Sequence, residues 1–253
     1  TCALPISCGR YSTKSKFTTT IKNIEGKIIK ITKVAEGKVI HRFFDTSPIS
    51  PSGKYIALFR FPSEVKPPEP GDQGDVILVN LETGEEKIVA NSDGFEMQVG
   101  ANVQWGSCDE ELFFNDVDTL AWSAFAVLLN PLTGETRRMD GTVFMASLDG
   151  KKLASYNLKN SRYAQVGYGV VVPDAFTKRN IGIADSDGVF ITDVATGKCK
   201  MLVSIRDIYE NTVPSIKISN PEKYEYYCFQ VKWNPQGDKL LTTIQWTPLK
   251  GGK

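Results

Sequence analysis

The sequence predicts an all-β fold, a β-propeller of four-stranded antiparallel blades, and three observations carry that prediction. First, a phrase of strand, tight turn, strand and Thr-Gly hairpin recurs along the chain. Such a repeat fixes the architecture before any single residue is interpreted. Second, the tight turns Ser50–Gly53, Gly106–Asp109, Ser147–Gly150 and Asn234–Gly237 are each followed by an apolar run, such as Tyr55–Phe59 or Leu240–Ile244. Third, hairpins of matching pattern close at Thr83-Gly84, Thr133-Gly134 and Thr196-Gly197. Four short antiparallel strands per repeated unit are the signature of a propeller blade.

With the strands of each blade lettered A to D from the inside outward, the chain opens on a partial unit at Phe17–Ala35, where Ile21–Ile31 reads as a C-D hairpin. Three fuller blades follow, their A strands expected from about His41, Gln98 and Thr142. A last unit begins near Cys228 and ends after its B strand, so the expected piece is about three full blades with a partial blade at each end. The spacing of the Thr-Gly turns exceeds the roughly 40–45 residues of a minimal propeller repeat, so segments are inserted. The excess falls between B and C (Phe61–Gly74, Asp116–Ser123, Leu158–Asp187) and between D and A (Asn91–Met97, Arg206–Tyr227). In an up-and-down blade these connections leave from one rim, and loops on a rigid scaffold are where binding groups gather. Within them, the proline-rich Pro62–Asp72 is expected to be extended and stiff. The Ile205–Asn211 stretch is expected to form one or two helical turns before Pro214.

With 253 residues, 41% of them hydrophobic, the chain can bury a sizeable core. Its net charge of +1 argues against a dedicated nucleic-acid binder or a polybasic membrane module. Cys2, Cys8, Cys108, Cys199 and Cys228 are scattered, with no spacing that suggests a zinc site. The start, Thr1–Ile6, reads as translated adaptor sequence, so residues 1–16 are expected to be non-native or disordered and 17–253 to form one propeller domain, truncated at its C-terminal end.

Phosphate loops, HExxH and Gly-x-Ser-x-Gly elbows are absent from the sequence. A single histidine, His41, precludes a His-based metal cage built from this chain alone, and no metal ligands are assigned. His41 and Arg42, at the start of an A strand, either bind an anion at the channel mouth or make rim hydrogen bonds. Gln98, Asn102 and Gln104 are expected on one alternating strand face, for ligand contact or for hydrogen bonds between blades, with Val103 and Trp105 on the other. Trp105 aligns with Trp233 and is expected between blades. Asn115 caps a loop or faces the channel. The longest insertion carries Arg162, Tyr163, Tyr168 and Arg179, a set suited to an acidic sugar, because a guanidinium binds a carboxylate and a tyrosine ring stacks or donates a proton. The plainer alternative pairs Arg162 and Arg179 with Asp174, Asp185 or Asp187.

Gly100–Trp105 followed by Phe113–Asp116, then Gly167-Tyr168-Gly169, then Asp187-Gly188-Val189 leading to Thr196-Gly197, resembles the TolB-like propeller proteins related to oligogalacturonate lyases and ulvan lyases. The resemblance spans about His41 to Trp246. It implies β-elimination on a uronic-acid-containing polysaccharide, with an extracellular or periplasmic location if that activity holds. By the same resemblance, Arg179 with Gln98 or Asn102 would neutralise the carboxylate, and Tyr163 or Tyr168 would handle the proton. Such lyases also use channel histidines, some as metal ligands; a divalent metal in the complete protein is therefore left open as a cofactor. The expected partner is an acidic polysaccharide or oligosaccharide, with neither nucleic acid nor membrane. The rival reading is a non-catalytic TolB-like scaffold that contacts a protein or a glycan.

Overall fold

The computed structural model describes residues 17–249, and the expectation for residues 1–16 lies outside them. The described chain is all-β, with three four-stranded and two two-stranded antiparallel sheets. β1 (Thr18–Ile24) and β2 (Lys27–Lys33) form the hairpin expected near the start. The first four-stranded meander is β3 (Val39–Ile40), β4 (Tyr55–Arg60), β5 (Gly74–Asn80) and β6 (Glu86–Ser92). The second is β7 (Gln104–Trp105), β8 (Leu112–Asp118), β9 (Ser123–Leu129) and β10 (Thr136–Arg138). The third is β11 (Met145–Ala146), β12 (Lys152–Tyr156), β13 (Gly188–Asp193) and β14 (Cys199–Ser204). A helix, α1 (Ile205–Asn211), follows with a Ser204/Asp207 capping box, and β15 (Tyr224–Trp233) pairs with β16 (Leu240–Pro248) to end the fold.

The repeated turns have one local chemistry. Asn80 and Asp193 end the third strand of their sheets and Asn130 directly follows its own, and their side-chain oxygens accept backbone N–H groups of the turn. Gly84, Gly134 and Gly197 then donate to the carbonyls of the same three residues, each at 2.8 Å. The glycine φ angles of 71°, 85° and 73° lie in the left-handed region that a residue with Cβ adopts at a cost.

Successive sheets stack on alternating side chains. Leu112 and Phe114 of β8 pack with Ala57 and Phe59 of the first sheet. Phe113, one step along, faces the other way and packs with Val143, Ala146 and Leu153 of the third sheet. Ala154 and Tyr156 then pack against Tyr226, Phe229 and Val231 of β15. A middle sheet buried on both faces reads as a continuous apolar run, which is why these strands are visible in sequence. Trp105 and Trp233 occupy matching places, as expected: each indole N–H donates across the sheet gap, to the Pro48 carbonyl at 2.9 Å and the Met145 carbonyl at 3.2 Å.

The inner strands differ from the sequence reading. They are only two residues long and begin at Val39, Gln104 and Met145 rather than at His41, Gln98 and Thr142. His41 lies just past β3, and neither Gln98 nor Asn102 is in a strand. The expected alternating face of Gln98, Asn102 and Gln104 is broken because Gly100 and Asn102 turn the backbone to φ 59° and 56°. Strand periodicity cannot run through such a turn. The last pair also begins earlier than expected, at Tyr224 instead of Cys228.

Candidate functional site

The longest connection, between β12 and β13, folds into an open cleft of about 200 Å³. Asn157 accepts from the backbone N–H of Asn160 at 3.2 Å and starts a 3-10 turn at Asn160–Tyr163; a second such turn, Asp174–Phe176, follows Pro173. The floor is a closed polar set. Asp187 accepts from the amides of Asn160 and Asn180 at 3.2 and 2.6 Å and from the Gly188 N–H at 2.7 Å, while the Asn160 oxygen accepts from the Lys178 N–H at 2.9 Å. These buried groups satisfy one another, as burial requires. Around the mouth stand Lys159, Lys178 and Phe176. Lys159 donates to the Trp122 carbonyl at 3.2 Å, and neither lysine has an ion pair among the described residues. The Phe176 ring is 44% exposed and lies 6.2 Å from the indole of Trp122. Two cations beside one exposed aromatic face can take a carboxylate and stack an apolar sugar face.

Three of the residues singled out in sequence gather beside this cleft. The guanidinium carbons of Arg179 and Arg162 lie 5.0 and 6.0 Å from the Tyr163 ring, and the Tyr163 hydroxyl is 2.7 Å from the Thr177 hydroxyl. Arg179 grips Glu225 through two N–H groups, at 2.5 and 3.1 Å, and the Tyr227 hydroxyl donates to the same carboxylate at 2.7 Å. Glu225 is 1% exposed, whereas the Arg179 side chain is 56% exposed. The hydrogen bond to Glu225 raises the Arg179 pKa further, and burial with the Glu225 charge pushes the Tyr227 hydroxyl up. Arg162 pairs with Asp174 at 3.1 Å and donates to the Val172 carbonyl at 3.0 Å. Of the other two named partners, Asp185 pairs instead with Arg206 and Asp187 is held by the Asn160 and Asn180 amides.

Tyr168 stands apart from this trio. Its ring is buried edge-on to Phe229 at 4.8 Å, in a polar network nearer the inner strands. There Arg42, fully buried, donates to Asp45 at 3.0 Å and to the Asn102 side-chain oxygen at 3.2 Å, with its guanidinium 4.4 Å from the Phe144 ring. Asn102 donates to Glu96 at 2.9 Å, and Glu96 accepts from the Gly169 N–H at 2.7 Å. Burial raises the Glu96 pKa to about 7, against the opposing pull of those donors and of Arg42. Burial likewise lowers Arg42 from its usual value. His41 is half-buried and its ring bonds the Phe43 carbonyl at 2.8 Å, while Gln98 is exposed.

Gln104 and Asn115 spend their amides between sheets. Gln104 donates to the Asn102 and Phe144 carbonyls at 3.0 and 3.2 Å and accepts from Ala146 N–H at 2.8 Å. Asn115 exchanges two bonds with the Val143 backbone, at 2.7 and 2.8 Å. Sequence reasoning missed Lys159, Lys178, Phe176, Asn180 and Glu96. Their only shared signal is position in or beside the long connections.

Gly169 lets the insertion pass close to Arg162. At φ 90° it is in the left-handed half of the map, and an added Cβ would lie 2.7 Å from the Arg162 backbone nitrogen. Gly169→Ala is expected to lower stability by about 1–3 kcal/mol from backbone strain alone, with the clash adding to it. Gly71→Ala is the control, since Gly71 has φ 89° but open space around it. Denaturant midpoints for the two variants should differ by the clash contribution.

No protein-family model matches the chain, and no curated protein matches it in sequence. Thirteen solved chains are similar, and three of them illustrate the kind. One is a chain assigned as TolB from Agrobacterium tumefaciens, with a TM-score of 0.45 and 13% identity over 91% of this chain and 70% of the other. Another is an oligogalacturonate lyase in complex with manganese, with a TM-score of 0.48 and 13% identity over 93% of this chain and 61% of that one. The third is an oligogalacturonate lyase from Vibrio parahaemolyticus, with a TM-score of 0.48 and 12% identity over 92% of this chain and 60% of the other. The structural neighbours are thus the TolB-like and oligogalacturonate-lyase kinds that the sequence resembles. Among the described residues there is no group of three or more His, Cys, Asp or Glu placed to hold a metal ion, and His41 is engaged with backbone. The described residues do not fit a metal centre.

Proposed function

We propose that these sheets are blades of a β-propeller and that the β12–β13 cleft binds a uronic-acid unit of an acidic glycan. The observation that carries this reading is the placement at one cleft of two lysines without ion pairs among the described residues, Lys159 and Lys178, and the exposed ring of Phe176, which the half-buried Trp122 backs at 6.2 Å. Its volume of about 200 Å³ is below the roughly 300–1,000 Å³ of drug-sized pockets, which suits one sugar unit with the rest of the glycan lying over the rim. A carboxylate placed between the two ammonium groups would gain charge-assisted hydrogen bonds, and the sugar's apolar face would cover Phe176. Titration with oligogalacturonate is expected to show binding that falls by about tenfold in each of Lys159→Ala and Lys178→Ala, the loss of one charge-assisted contact of roughly 1.4 kcal/mol. Equal affinity for a neutral galactan would overturn the assignment.

A second reading, β-elimination, is favoured by one geometric fact, the packing of the Arg179 guanidinium on the Tyr163 ring. In that reaction the carboxylate of the uronate is neutralised, the C5 proton passes to a base, the C4–O bond breaks, and its electron pair leaves with the departing sugar as a C4=C5 double bond forms. A deprotonated Tyr163 oxygen would take the proton and become the phenol, and the exposed edge of Arg179 would face the carboxylate. Tyr163→Phe is then expected to abolish release of unsaturated uronate while leaving glycan affinity intact. Absence of unsaturated product from the unsubstituted chain would leave the binding function alone.

A further inference from the structure

Glu96 lies in the connection between β6 and β7, where its own backbone is pinned by two hydrogen bonds to Gly100, at 2.9 and 3.0 Å. Each of its two carboxylate oxygens faces one N–H donor. Oε2 accepts from the backbone of Gly169, in the insertion that forms the cleft, and Oε1 accepts from the Asn102 amide. Neither donor can turn to accommodate a proton. The Gly169 N–H is main chain, and the Asn102 amide is held in its orientation because its oxygen accepts from Arg42. A proton on either oxygen leaves that oxygen a poor acceptor and strips the charge from both hydrogen bonds, so neither rigid donor keeps a charge-assisted tie. We propose that Glu96 is a proton-operated latch that fastens the β12–β13 insertion to the Asn102–Arg42 pair when ionised and frees it when protonated.

The charges around Glu96 set the operating range. Arg42 faces it from the segment after β3, Tyr156 from the end of β12 and Tyr168 from the insertion itself, while Asp45 and Lys232 of β15 stand behind Arg42. Among the described residues, only Arg42 supplies a facing positive charge. Complete burial outweighs it and moves the carboxyl to about 7, so that the latch changes state near neutrality. The insertion it fastens carries Lys159, Phe176 and Lys178. Any effect on sugar binding rests on the proposed function above, but the latch itself does not.

Amide hydrogen exchange on the full chain tests it without any ligand. After correction for intrinsic exchange, the peptide covering residues 165–172 is expected to be about tenfold less protected at pH 6 than at pH 8, because the protonated fraction of Glu96 rises from about a tenth to about nine-tenths. Peptides from β4 and β8 should show no such change. Glu96→Gln, which keeps one acceptor oxygen and has no charge to lose, is expected to show the less protected state at both pH values. Equal protection of 165–172 at pH 6 and pH 8 in the unsubstituted chain overturns the proposal, and that measurement decides even if the variant does not fold. Protection in Glu96→Gln that matches the unsubstituted chain at pH 8 overturns it as well. Loss of exchange response with intact oligogalacturonate binding would remove the latch and leave the sugar site standing.

Discussion

Arg42→Ala is expected to destabilise the chain by about 3–5 kcal/mol, the cost of breaking a buried ion pair from one side. The guanidinium has no solvent-exposed surface, and it holds three different partners at once. It donates to Asp45 at 3.0 Å and to the Asn102 oxygen at 3.2 Å, and it covers the Phe144 ring. Truncation leaves Asp45 with Lys232, 3.0 Å away, as its remaining cation, leaves the Asn102 oxygen without a donor, and opens a void against Phe144. Arg42→Met refills much of that void and should therefore cost less than Arg42→Ala. The difference between the two measures packing, and what persists in the Met variant measures the polar loss. Urea unfolding at pH 8 and pH 5 separates the terms further. The attraction between Arg42 and Glu96 exists only while Glu96 is ionised, so the penalty should shrink at the lower pH. A cost below about 1 kcal/mol in both variants would mean that the network is not a structural element of the fold.

What could be read in the sequence was whatever local chemistry dictates. The strands β4, β8, β12 and their neighbours are apolar because both faces of each sheet are covered, and their turns need glycine at a left-handed position, so both signals are written in adjacent residues. The helix after β14, expected over Ile205–Asn211 before Pro214, is local chemistry as well, and the structure adds a serine cap and an aspartate three residues on. The inner strands were not, because two residues make no period, and the turn at Gly100 and Asn102 removes the alternation on which the expected ligand face of Gln98, Asn102 and Gln104 depended.

The candidate site was only partly legible, again for physical reasons. Tyr163, Arg162 and Arg179 do meet, since the two 3-10 turns of the insertion fold it back on itself. Arg179, however, reaches across to Glu225 on β15, a partner that no sequence spacing announces. Lys159 and Lys178 look in sequence like any solvated lysines, and only the fold places both at one cleft. Glu96 is harder still. A buried acid has no compositional mark, and its meaning depends on a donor from Gly169, which comes from the next sheet's insertion.

The same acid is expected to shape the pH dependence of stability, in the direction opposite to most carboxylates. Its pKa rises from 4.5 in the unfolded chain to about 7 in the fold. Between those values the folded chain holds a proton that the unfolded chain has lost, so stability falls as pH rises, with the contribution fully present below pH 4.5 and gone above about pH 7. The full excursion is about 3 kcal/mol. Asp207, held low by the backbone N–H and hydroxyl of Ser204, acts with the reverse sign, so the raw profile of the chain mixes several groups. The difference between the unsubstituted chain and Glu96→Gln isolates one. That difference should grow between pH 5 and pH 8 by about 3 kcal/mol in favour of the glutamine variant, read from denaturant midpoints. A flat difference would mean that the carboxyl titrates at its ordinary value and is solvated in solution. The latch and the Glu96 stability contribution move in opposite senses: acid removes the cost of the buried charge while loosening the insertion. A general acid softening would lower midpoint and protection in both proteins alike, so only a titrating Glu96 raises the midpoint of the unsubstituted chain relative to Glu96→Gln while reducing its protection at residues 165–172.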